Sequence, residues 1–429
     1  MRRWLDPASA GRSGNRGRFP ARSRVPGDTQ QGARDAHSAG LSRGRRSMSR
    51  NRLLKGFEVE LFTGRPDGRN VGIAARAKRE LEGFVTEPDH RNLEYVTDPQ
   101  ANYDGIAEAL LSPRRKLRRW LMEQDLTLLP GSTLSLGDTD RFERSDPDNP
   151  YHSLIEATYG TAVVTASIHI NLGIDNPAEL FAALRLVRCE AALLLSLSAS
   201  SPFLNGRITG AHSQRWLQFP LTPARVPLFL DHQHFISWTN QQIEAGSMHN
   251  VRHLWTSVRP NGPDRPHQLN RLELRICDLI TDPEVLIAVT VLLELRVQQV
   301  LREPEQHDPL QSSALNLQQL EELSMSNDRA AARSSLEATL HNWRDGRERS
   351  CRDWLEQLID SVTPLAEELG LKQQLEPLSA VLQEGNQAMR WLQGIHSGES
   401  IESVLRESIT AMQEEEMRGV CTPAERSLG

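Results

Sequence analysis

Gly56-Phe57-Glu58-Val59-Glu60 decides how this chain is read. Phe57, Val59 and Leu61 alternate with Glu58 and Glu60, so a strand here turns its apolar side chains to one face and both carboxylates to the other. Residues two apart on one face lie roughly 7 Å from each other. At an effective dielectric of about 20, two negative charges at that distance repel by roughly 2 kcal/mol. Either the strand faces water, or a cation sits between the carboxylates.

Two further stretches carry the same kind of alternation. Val164, Ala166, Ile168 and Ile170 share one face of a strand whose other face is Thr165, Ser167, His169 and Asn171. Leu272, Leu274 and Ile276 alternate with Arg271, Glu273 and Arg275. If the three strands lie in one sheet with aligned registers, their polar side chains converge on a single surface. The apolar faces then suit Pro177–Ala199, a helix apolar nearly all round and so buried on several sides. An antiparallel or mixed sheet with helices on its apolar side satisfies the pattern, an α+β chain.

Shorter elements follow from turn formers and periodicity. Phe84–Glu87, Leu93–Thr97 and Leu126–Leu129 read as strands, and 71–82 as a short helix. Asp104–Gln124 has helical spacing, with a split or kink expected at Pro113. From Pro283 the chain reads as helical to its end, with Leu336, Leu340 and Trp343 on one stripe and Leu355, Leu358, Ile359, Val362, Leu365 and Leu369 on another. Pro364, Gly370 and Pro377 imply bent or separate helices. Residues 305–330 and the last dozen read as linker and frayed tail, and Glu414-Glu415-Glu416 as a solvated helix end.

Composition sets the outer bounds. Of 429 residues, 38% are hydrophobic and 25% charged, with mean hydropathy −0.49, which suits a globular protein in water. The longest apolar run, Cys189–Leu197, is broken by Glu190 and too short to span a bilayer. Four widely spaced cysteines without a C-x-x-C pair point to a reducing, cytoplasmic compartment and argue against a thiolate zinc site. The net charge of −6 hides an asymmetry: residues 1–50 hold 12 Arg and 3 Asp with no Lys or Glu. The remainder therefore carries 38 basic and 53 acidic side chains, which argues against a nucleic-acid surface on the body. Residues 1–47 are too poor in aliphatic side chains to fold and read as a disordered Arg-rich leader. They would be a transit peptide, a nucleic-acid-binding arm, or translated sequence upstream of a start at Met48.

Carboxylates grouped with one imidazole describe a site for a hard divalent ion, Mg²⁺ or Mn²⁺. Arginines on an adjoining strand fit a phosphate or carboxylate held bidentately. Together they form a layout for phosphoryl transfer, although no G-x-x-x-x-G-K-[ST] and no G-x-G-x-x-G opens a helix. The bland readings stand beside this one. An E-x-E pair is commonly a solvated strand face, and His169 alone would be a hydrogen-bonded core histidine. Asp231-His232-Gln233-His234 resembles a zinc motif only superficially, while Trp120, Trp343 and Trp354 fall on helical core stripes.

With these stretches in hand, Lys55 to about Arg296 resembles the glutamate–cysteine ligases of the carboxylate–amine ligase type found in plants, cyanobacteria and other bacteria. The matching stretches are Gly56–Glu60, Thr86-Glu87 with Leu93–Thr97, Ser167–Asn171, Ala199–Phe203, Thr209-Gly210 leading to Ser213 and Arg215, and Leu272–Arg275. The resemblance implies a glutamine synthetase-like fold: a curled, mainly antiparallel sheet forming an active-site cup with helices packed outside. Residues 48–300 would be the catalytic domain, and 301–429 a helical C-terminal region completing the same unit. It implies ATP-dependent joining of the glutamate γ-carboxylate to the cysteine amine through γ-glutamyl phosphate, the first step of glutathione biosynthesis. By resemblance Glu58, Glu60, Glu87, Glu94, His169 and Glu273 would hold Mg²⁺, with Mn²⁺ an option. His169, Asn171 and Arg275 would contact ATP, Arg275 and Arg259 would meet the transferred phosphate, and Arg215 with Ser213 would hold a substrate. The partners would be glutamate and cysteine, with no membrane, in a monomer or homodimer. A ligase of the same fold with another amine or acid is the alternative. A remote one is a non-catalytic interaction protein using the Arg-rich arm on nucleic acid.

Overall fold

The computed structural model describes residues 52–418; the expectations for the leader, for the tail beyond 418 and for Cys421 lie outside the described residues. The fold is built on β1 (Lys55–Gly64). β2 (Phe84–Thr86), β3 (Asn92–Val96), β4 (Thr127–Leu129) and β5 (Ile168–Gly173) follow. β6 (Phe203–Leu204) and β7 (Arg207–Ile208) form a small hairpin, and β8 (Val258–Asn261) and β9 (Arg271–Leu274) return to the main sheet. Seven strands run in the order β2-β3-β1-β5-β9-β8, with β4 on the end of β1, and all neighbours are antiparallel. This is the open, mainly antiparallel sheet with outer helices that the pattern implies.

Register decides which side chains meet. Glu60 lies opposite Glu94, Glu58 opposite His169, Asn171 opposite Glu273, and Glu273 opposite Arg259. Directly opposed residues of an antiparallel pair share a face, so the three polar stripes fuse into one surface across five strands, β3, β1, β5, β9 and β8. The other face, with Phe57, Val59, Leu61, Ile170, Leu272 and Leu274, is buried in one cluster with the helices Pro177–Ser198 and Pro283–Arg302. Each of these helices opens with proline in its first turn, behind a capping Asn176 or Asp282. The same cluster runs on to Met412, so the C-terminal helices share the core of the sheet.

Several elements depart from the sequence reading. β5 starts at Ile168, because the N–H groups of Val164 and Thr165 are taken up by turn bonds to Thr161 and Val163. The helix Ile106–Met122 passes through Pro113 without a split, and Cys351–Leu369 holds Pro364 inside it. Gly370 ends the latter in the left-handed region at φ 66°. Residues 305–330 are no linker. They form two short helices and Leu317–Ser334, which packs along Pro177–Ser198 through Leu320, Leu323, Ala331 and Ala332. Leu340 and Trp343 are not helical: β10 (Thr339–His341) and β11 (Glu348–Ser350) form a hairpin turned at Asp345-Gly346. Glu416 is not solvated. It is buried between Arg114 and Arg118 of another helix. The three described cysteines are free and buried, which pushes each thiol up to about 12. Among the described residues no helix is long and apolar enough to cross a membrane.

Candidate active site

The polar face of the sheet holds two ligand groups. Glu60, Glu87 and Glu94 form one, and Glu58, His169 and Glu273 the other. Within each group one ligand atom per residue lies within 4.8 Å of the others. The structure thus brings together all six residues expected at the metal. β1 supplies Glu58 and Glu60 to different groups, which answers part of the repulsion between them. Glu87 sits just beyond β2, where Ser145 Oγ donates to its carbonyl and ties the loop down.

Hydrogen bonds fix how these groups point. Ser167 Oγ donates to Glu60 Oε2 at 2.7 Å, which uses its only proton. Its oxygen can then only accept from His169 Nε2 at 3.1 Å, so Nε2 is assigned a proton. Nδ1 faces the cup and donates to Glu58 Oε2 at 3.1 Å, with Arg275 Nη1 at 3.3 Å and Glu273 Oε1 at 3.8 Å. That is the orientation a metal-binding imidazole needs, with its second nitrogen anchored by a hydroxyl. Asn171 Nδ2 reaches Glu58 Oε1 at 3.5 Å, while its Oδ1 accepts from Arg271 Nε at 3.1 Å.

Glu273 differs from the other acids. Its side chain is fully buried and accepts from Arg259 Nε and Nη2 at 2.8 and 3.0 Å, and also from Asn261 and Arg275. Burial alone would raise this carboxyl, but Arg259, Arg275 and His169 hold it well below the usual range. Burial and Glu273 raise Glu58 too, yet the His169 hydrogen bond and charge, with Arg275, leave it lowered. Both sites favour carboxylate over carboxylic acid. Three carboxylates suit a hard dication, and the group with one imidazole extends the donor set toward Mn²⁺. The residues fit a divalent metal on donor chemistry.

The expected substrate residues sit one layer behind. Arg215 is buried and donates through Nη1 and Nη2 to the carbonyls of Ile276 and Arg275 at 3.0 and 3.1 Å; its Nε is buried without a hydrogen-bond partner. Ser213 caps the short helix after it and donates to Asp278 Oδ1 at 2.8 Å. Asp278 was not singled out from sequence. It also accepts from Ser201 Oγ and Ser200 N–H, and so fastens the Ser200–Pro202 loop to the end of β9. An aromatic group was missed as well. Tyr159, His253, Trp255 and Phe219 meet edge-on or tilted, with Phe219 beside Arg215 and Trp255 close to Arg259, whose Nη1 donates to the Leu254 carbonyl at 2.9 Å. Its members come from three separate segments, so no local pattern announces it. The Asp231–His234 motif is structural: Asp231 caps a helix and His232 Nε2 reaches the Pro266 carbonyl at 2.8 Å.

Comparison with known proteins gives a consistent result. A family model described as glutamate–cysteine ligase family 2 matches residues 54–419. A protein of Solibacter usitatus, provisionally named glutamate–cysteine ligase 2, is 25% identical over 394 residues, covering 89% of this chain and 98% of its own length. A similarly named protein of Frankia alni is 29% identical over 247 residues, 57% of this chain and 62% of its own. Among solved structures, a glutamate–cysteine ligase of Francisella tularensis in complex with AMP superposes with a TM-score of 0.68 at 13% identity. It covers 85% of this chain and 89% of the other. A bifunctional glutathione synthetase of Pasteurella multocida gives 0.67 at 15% identity, with 85% and 52% covered. At such identities the structural likeness is one of fold.

Proposed function

Because the chain belongs to glutamate–cysteine ligase family 2, we propose that it is an ATP-dependent carboxylate–amine ligase joining the γ-carboxylate of L-glutamate to the amine of L-cysteine. The observation that carries this reading is the pair of ligand groups, Glu60-Glu87-Glu94 and Glu58-His169-Glu273, beside Arg259 and Arg275 on one sheet face. The Francisella protein's complex with AMP supports a nucleotide in a fold of this kind.

A carboxylate is a poor electrophile. In the proposed reaction its oxygen attacks the γ-phosphorus of ATP, ADP leaves, and γ-glutamyl phosphate forms. The cysteine amine then attacks the acyl carbon, phosphate departs with the bonding pair, and the proton lost by the nitrogen leaves with the phosphate. Both partners of the first step are anions, so the site must hold cations. Two Mg²⁺ held by the two ligand groups would supply charge neutralisation at the phosphates. Arg275 and Arg259, buried and oriented by Glu273, would meet the charge that develops on the transferred phosphoryl group. Arg215 holds the carbonyls of Arg275 and Ile276 and offers Nε to a substrate carboxylate. No enzyme nucleophile is required, in keeping with three buried thiols held protonated.

The test is ADP release from Mg-ATP across pairs of amino acids. Turnover with glutamate plus cysteine above all other pairs is expected. Turnover only with a different acid or amine keeps the ligase and overturns the substrate, whereas none with any pair overturns the ligase.

A further inference from the structure

The connection between β8 and β9 carries a cation that nothing in the site accounts for. It is a pinned loop. Gln268 N–H donates to the Asp264 carbonyl, Asn270 N–H to the Asn261 carbonyl, and the Pro266 carbonyl meets His232. A Cβ at Gly262 would lie 2.0 Å from the Gln268 carbonyl oxygen, so only glycine lets the two arms approach this closely. Within the loop, Arg265 places Nη1 where it is buried without a hydrogen-bond partner.

Its charged surroundings are lopsided. The nearby groups are Arg259, Arg271, Arg275 and Glu273. Glu273 already accepts from Arg259, Arg275 and Asn261, and Arg265 Nη1 has no hydrogen bond to it. Arg271 donates to Asn171 and Asn270. Burial, with Arg259, pushes the Arg265 guanidinium down to about 9, where it remains a cation at neutral pH. Buried donors in folded proteins are nearly always paired, and a buried charge is held by a counter-charge. Glu58 and Glu60 act on Arg275 and Glu58 on Arg259, so Arg265 Nη1 is a buried donor beside them that is left for a ligand.

We propose that Arg265 receives the phosphate chain of a nucleoside triphosphate, its Nη1 donating to an oxygen of a phosphate that is not transferred. Arg265 is then a positioning residue that sets the reach of the γ-phosphate over Arg275 and the Glu58-His169-Glu273 group. The assignment rests on the ligase reading only in needing a nucleoside triphosphate. It says nothing about which amino acids react.

Equilibrium binding without amino acids tests it. Wild-type protein is titrated with a non-hydrolysable ATP analogue plus Mg²⁺, with adenosine, and with inorganic tripolyphosphate. Losing one charge-assisted hydrogen bond predicts a roughly 10- to 100-fold weaker affinity of Arg265→Gln for the analogue and for tripolyphosphate. Adenosine binding is expected to stay unchanged, and Arg265→Lys to recover part of the loss. Thermal denaturation of both variants checks folding, and the Lys variant keeps the test open if Gln does not fold. Equal analogue affinity in wild type and a folded variant overturns the assignment while leaving the ligase reading in place. A raised KM for the acid substrate with unchanged analogue affinity also overturns it, by placing Arg265 on a carboxylate. Failure of the wild type to bind any nucleotide overturns both.

Discussion

Replacing Glu60 by Gln separates a metal-holding carboxylate from a structural one, because the two roles predict opposite signs of stability change. Glu60 shares its ligand group with Glu87 and Glu94, with ligand atoms within 4.8 Å, and only 12% of its side chain is exposed. At an effective dielectric of about 20, each such contact carries a bare repulsion of about 3 kcal/mol, and Glu58 adds roughly 2 kcal/mol from two residues away. Other partners and solvent offset most of this, so a net relief of about 1–2 kcal/mol is the working figure. Gln keeps an oxygen to accept from Ser167, so that bond is retained. In EDTA the variant is therefore expected to melt about 1–3 °C above wild type. With Mg²⁺ and an ATP analogue the order reverses, because wild type alone gains the full stabilisation from binding. ADP release should fall by at least about 100-fold. Scanning calorimetry with and without Mg²⁺, and coupled ADP detection, give the three readouts. A lower midpoint in EDTA together with near-normal ADP release would refute the reasoning, since Glu60 would then be a structural acceptor.

Glu273→Gln should behave in the opposite way. It leaves Arg259 and Arg275 buried without their shared counter-charge, so a loss of about 3–5 kcal/mol is expected as a lowered urea midpoint in EDTA; an unchanged midpoint contradicts the ion-pair assignment. His253 predicts a pH effect. Burial, with His249 beside it, lowers its imidazole from 6.5 to about 4. Between those values the unfolded chain binds more protons than the folded one, so stability is fully present above 6.5 and falls as pH drops toward 4. Thermal midpoints from pH 7.5 to 4 should show this fall, and His253→Gln should shrink it; an identical slope in the variant would place the titration elsewhere.

The sheet was readable because its information is local. Phe57-Glu58-Val59-Glu60 states its two faces outright, and so does Ile168-His169-Ile170-Asn171. What period two cannot state is the neighbour across the ladder. Glu416 stands at a charged helix end in sequence, and only the docking of its helix on Arg114 and Arg118 buries it. Trp343 keeps helical spacing with Leu340 by coincidence; the Asp345-Gly346 turn overrides it, and the indole donates to the buried Glu190. Leu317–Ser334 was missed because its apolar stripe is thin, although Asn316 and Gln319 form a capping box that marks its start.

The acidic residues show why a site can be located from pattern before its roles can be divided. Glu60 and Glu273 look alike in sequence, each a carboxylate between aliphatic neighbours on a strand. Register gives Glu60 another carboxylate, Glu94, as its opposite number on β3, whereas Glu273 faces Arg259 on β8. The first pairing is unfavourable until a cation arrives. The second is attractive from the start and fixes two buried guanidinium groups, those of Arg259 and Arg275. In the proposed reaction the acidic pairing would take Mg²⁺ and the arginines the transferred phosphate. That division depends on strand order β3-β1-β5-β9-β8, which is set by long-range pairing, so a one-residue slip of β9 would turn Glu273 to the apolar face and leave Arg259 without its partner.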